Sequence, residues 1–69
     1  MDEIKALIGQ AIAEFGSEGK LARAAGVKQP SINQAKHKGK IGPRLAMGID
    51  KATEGRISKS VLRPDLWPP

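Results

Sequence analysis

Gln29, Ser31, Asn33, Gln34, Lys36 and His37 fall within nine residues, at positions that a single helix would turn toward solvent. An amide side chain offers one donor and one acceptor in a rigid plane, a hydroxyl offers either, and the cations add charge. No carboxylate stands among them. This chemistry suits base edges in the major groove of double-stranded DNA, so Gln29, Ser31, Asn33 and Gln34 are the candidate base contacts. Lys28, Lys36, His37, Lys38, Lys40 and Arg44 suit phosphates, which set register without reading sequence.

The charge distribution points the same way. The net charge is +5, yet residues 1–27 carry three cations and four anions, and residues 45–69 carry four and three. Residues 28–44 carry five Lys or Arg and no acid. Such a block is the footprint of a polyanion site, because each phosphate contact releases condensed counterions. A merely solvated helix face mixes both signs.

Other chemistry finds little support. The chain has no cysteine and one histidine, so neither a disulfide nor a structural metal is expected. His37 has no serine and carboxylate arranged as a triad beside it, and the acids show no paired or calcium-loop spacing. The eight glycines form no GxxxxGK or GxGxxG motif. No enzyme and no cofactor is expected. No apolar run approaches the ~20 residues of a membrane span, and the amino terminus begins acidic rather than basic, which points to the cytoplasm.

Several elements must position these side chains. With 69 residues the chain makes one small domain. Ile4, Leu7, Ile8, Ala11, Ile12 and Phe15 form the stripe of an amphipathic first helix, capped by Asp2 and stopped by Gly16. Ser17 caps a second helix, with Glu18 in its first turn and Leu21, Ala22 and Ala25 facing inward. Ala22 is small enough for a close helix crossing, and Gly26 suits the left-handed position that ends the helix. The third helix is expected to open at Gln29-Pro30, with Pro30 its first residue, Ile32 and Ala35 pointing to the core, and Gly39 after its end. Gly42-Pro43 starts a fourth helix, running to Thr53, in which Leu45, Ile49 and Ala52 repeat at helical spacing.

Ala22, Gly26, Val27, Ile32 and Ala35 are spaced as in the helix-turn-helix of phage repressors. The run GVKQPSINQAKHKGKI, residues 26–41, resembles the matching run of lambda-type Cro repressors. That resemblance implies that Gln29 and Asn33 read bases in the major groove. Pro30 stands where that family has a serine, and Gln34 where it has a base-reading lysine. Lys38 and Lys40 flank the exit, where the family places a basic residue against the backbone. Lambda Cro continues into strands, but the later string here, with Gly55, Ile57, Ser58 and Leu62-Arg63-Pro64-Asp65-Leu66-Trp67, is similar to all-helical Cro-like and YdaS-like regulators.

The expected fold is therefore all-α: a lambda repressor-like helix-turn-helix domain of four to five short helices spanning residues 1–69. The helix-turn-helix covers about 17–38, and an extended tail about 56–69. Pro64, Pro68 and Pro69 disfavour a regular helix in that tail and favour an extended or turn-like run. Leu62, Leu66 and Trp67 either fold back onto a core short of bulk or dock on a second subunit as a homodimer contact. The expected function is a sequence-specific transcriptional repressor of phage or prophage origin, with double-stranded operator DNA as partner. Two alternatives stand beside it: an antitoxin-like prophage regulator of the YdaS kind, and a protein-interaction module using the Trp67 tail.

Overall fold

Five helices and no strand make up residues 3–68, the part of the chain that the computed structural model describes. They are α1 (Glu3–Phe15), α2 (Glu18–Ala25), α3 (Gln29–Lys38), α4 (Pro43–Ala52) and α5 (Lys59–Leu62). The Asp2 cap lies outside the described residues. No helix among those described is long and apolar enough to cross a membrane.

Short-range signals set most of the helix ends. Gly16 takes φ 97° and returns its N–H to the Ile12 carbonyl at 2.8 Å, which stops α1. Ser17 then caps α2, its Oγ accepting from Lys20 N at 3.1 Å. Gly26, at φ 74°, ends α2, and the next N–H, from Val27, reaches back to the Ala22 carbonyl at 3.0 Å. Residues 26–28 are all that separate α2 from α3, so the two helices must cross at an angle.

The core gathers one face from each helix. Ile8 and Ala11 come from α1, Leu21 and Ala22 from α2, Ile32 and Ala35 from α3, and Leu45, Ala46 and Ile49 from α4. Phe15, Val27 and Trp67 pack at its edge. α2 is the central element, packed on α1, α3 and α4. α4 crosses it closely at Ala25. A Cβ built on Gly48 of α4 would overlap the Ala25 carbonyl oxygen and come within 3.0 Å of Ala25 Cβ. Glycine there lets α4 lie on the end of α2, and the position reads from sequence only as a weak helix former.

Two expectations are corrected. α3 begins one residue early: Lys28 is the extended cap residue (φ −84°, ψ 148°), Gln29 is the first helical residue and Pro30 the second. Proline is tolerated there because none of the first four N–H groups of a helix has an intrahelical partner. The tail is helical and then turn-like rather than extended. Ser58 caps the four-residue α5, and Leu66 and Trp67 then turn back to the Arg63 carbonyl at 3.1 and 3.0 Å. The prolines stop α5 without straightening residues 63–67. Leu62 is 2% exposed in the chain's own core and Trp67 is half-buried against it, whereas Leu66 is 45% exposed.

Buried Thr53 joins α4 to the tail. Its hydroxyl donates to the Ile49 carbonyl at 2.8 Å and accepts from Ile57 N at 3.1 Å. Asp50 receives the Lys59 N–H at 2.9 Å, and Lys59 Nζ sits 5.3 Å from the Trp67 ring centre.

Candidate nucleic-acid interface

All ten candidate contacts are exposed: Gln29, Ser31, Asn33, Gln34, Lys28, Lys36, His37, Lys38, Lys40 and Arg44. For the seven on α3 the reason is the helical turn of about 100° per residue. Ile32 and Ala35 face the core, so Pro30 and His37 stand opposite it. Gln29, Asn33 and Lys36 then fall on one flank of α3, and Ser31, Gln34 and Lys38 on the other. The two flanks have different neighbours.

Ser31, Gln34 and Lys38 look toward the start of α4. With Val27, Lys40 and Arg44 they line an open groove between the two helices. Lys28 joins Ser31 and Arg44 in an adjoining depression. Two helix starts stand at this groove and the depression beside it. α3 and α4 both begin with no side-chain cap, on Lys28 and Gly42, and neither has an acid in its first turn. Arg44 is the second residue of α4, where the helix dipole disfavours a cation unless an anion is present. By contrast α2 begins with a serine cap and Glu18, and α5 with a serine cap. Open N–H groups at a helix start beside cations are a combination that suits an anion.

The other flank meets α2. Gln29 and Asn33 line a shallow depression with Pro30, and a Cβ built on Gly19 would stand 3.5 Å from Gln29 Oε1. No carboxylate stands among the side chains of α3 itself, but α2 brings one to this flank. Glu18 Oε1 accepts from Asn33 Nδ2 at 3.3 Å, and Glu18 Oε2 pairs with Lys36 Nζ at 3.4 Å. The helix crossing places the first turn of α2 beside α3, so an acid 15 residues earlier in sequence enters the site. As a helix-capping acid Glu18 is legible; as a partner of Asn33 it carries no local signal.

Lys40 owes its position to the tail. The next residue, Ile41, is buried, and its carbonyl receives Arg63 Nη1 at 2.8 Å. Arg63 also grips Asp65 through Nε at 2.9 Å and Nη2 at 2.7 Å. The same contacts lower the Asp65 carboxyl below its ordinary range, the Arg63 hydrogen bonds being the main cause.

Fold and surface together define a small all-helical domain with a helix-turn-helix arrangement in α2 and α3 and a basic outer face. Residues 8–69 match the family model described as bacterial toxin YdaS, and the chain belongs to that family of small prophage-type proteins. Comparison with curated proteins and with solved structures gave no match.

Proposed function

We propose that this chain is a sequence-specific DNA-binding transcriptional repressor of Cro type, with α3 entering the major groove. Gln29, Ser31, Asn33 and Gln34 meet base edges, and Lys28, Lys36, His37, Lys38, Lys40 and Arg44 meet phosphates. The observation that carries this reading is the gathering of two uncapped helix starts and six basic or polar side chains on a groove and the depression that adjoins it, with two exposed amides on the other flank of α3. Repression follows from occupancy, because bound protein excludes polymerase from the same duplex.

Two copies side by side would read half-sites about one turn, ~34 Å, apart. The backbone spans 28 × 24 × 17 Å, so one copy fits within that repeat. Electrophoretic selection from random DNA tests the reading through palindromy and half-site spacing. Enrichment of no sequence over the input would overturn it.

The family match favours a second reading: one member of a toxin–antitoxin-like pair. Growth arrest on expression of this chain, relieved by a neighbouring gene product that co-purifies with it, would favour that reading over operator binding alone.

A further inference from the structure

We propose that Glu18 determines the specificity of Asn33 by fixing which way its amide faces; this rests on the reading of α3 as a DNA-reading helix. A carboxylate only accepts hydrogen bonds, so the group Asn33 turns toward Glu18 has to be its NH2. Nδ2 lies 3.3 Å from Glu18 Oε1. The carboxylate cannot swing away freely, because Lys36 holds its other oxygen at 3.4 Å and Ser17 caps the helix that carries it. Its side chain is only 19% exposed against 46% for Lys36.

With one N–H committed inward, Asn33 presents its carbonyl oxygen and one remaining N–H to the groove. That acceptor–donor pair matches adenine, whose major-groove edge pairs the N6 donor with the N7 acceptor. Guanine offers two acceptors, O6 and N7, and a fixed outward oxygen repels them. An unrestrained amide would rotate its NH2 to meet them. Glu18 therefore acts against the wrong base as much as for the right one. It also competes with phosphate for Lys36, trading general affinity for discrimination.

The test is Glu18→Gln, which keeps length and shape but offers either a donor or an acceptor to Asn33. Base preferences are read by selection from random duplex DNA and affinities over a salt series. The adenine preference at one base position should fall about fivefold or more, the low end of what one bidentate contact contributes. The salt slope should steepen, by up to about one unit, as Lys36 is left wholly to its phosphate. In an Asn33→Ala background Glu18→Gln should leave base preference unchanged but still steepen the slope.

A selective parent whose Glu18→Gln variant keeps the same preferences overturns the Glu18 assignment alone. A parent that selects no sequence removes the DNA reading and this proposal with it. Should the variant fail to fold, the parent still decides: nuclear Overhauser contacts between the Asn33 side-chain amide protons and the Glu18 Hγ protons are expected, and their absence overturns the proposal.

Discussion

Arg63 Nη1 donates to the carbonyl of Ile41 at 2.8 Å across 22 residues of sequence. One guanidinium thus ties the end of the chain to the segment that leaves α3. Asp65 holds that guanidinium through both carboxylate oxygens, so the Arg-Pro-Asp turn works as a clamp on the exit that carries Lys40.

Asp65→Asn tests the clamp through pH. The Asp65 carboxyl is lowered in the folded chain, chiefly by the Arg63 hydrogen bonds. Its contribution is therefore fully present above the unfolded value of about 3.9 and is lost as pH falls through the lower folded value. The parent should melt above the variant at pH 7, and the gap in Tm should close in acid below pH 4. A gap of constant size down to pH 2 would contradict the assignment. Asp65 is exposed and Arg63 only partly covered, so the gap itself will be small.

Thr53→Val keeps the volume of a buried side chain but leaves the Ile57 N–H without its acceptor. Such a loss costs about 1–3 kcal/mol. Urea unfolding should show it as a lower midpoint with an unchanged m-value. An unchanged midpoint would mean that Ile57 finds another partner.

Two glycines in helices should respond with opposite signs. A Cβ on Gly48 meets the Ala25 carbonyl, whereas one on Gly9 meets nothing within 4 Å. Gly9→Ala should stabilise by roughly 0.5–1 kcal/mol, the ordinary helix gain. Gly48→Ala should destabilise by about 1–3 kcal/mol, since the α2 backbone cannot yield as a side chain would. Equal and favourable shifts for both would refute the close crossing.

Much of this architecture is legible locally. Gly16, Ser17 and Gly26 act within one turn of where they stand, and Ile32 with Ala35 settles which face of α3 is buried. The exposure of the seven interface residues on α3 follows from that face alone. What escapes the sequence depends on crossings or distant pairings. Glu18 reaches Asn33 only because α2 crosses α3, Gly48 matters only because α4 lies on Ala25, and Ile41 is fixed by Arg63 from the tail. Proline chemistry locates the start of α3 to within one position, since Lys28 rather than Gln29 takes the extended cap conformation. In the tail, Ser58 outweighs the prolines by starting α5 ahead of them.

Asn33→Ala should lose about 1–3 kcal/mol at a single base position of the selected site and relax discrimination there. Competition with duplexes mutated one position at a time measures it. Equal weakening on selected and random DNA would remove Asn33 from the base-reading set.

Lys38→Ala should weaken every sequence alike and flatten the plot of log affinity against log salt by about one unit. The same titrations in rising salt give that slope. No change in slope would take Lys38 out of the phosphate set.

The most direct measurement compares two duplexes of equal length, one carrying the selected site and one random, titrated with the parent chain at physiological salt. A sequence reader should bind the selected duplex about a thousandfold or more tightly, the lower range for specific DNA-binding proteins. Equal affinities falling together with salt would contradict it, leaving α3 a basic surface that holds DNA without reading it.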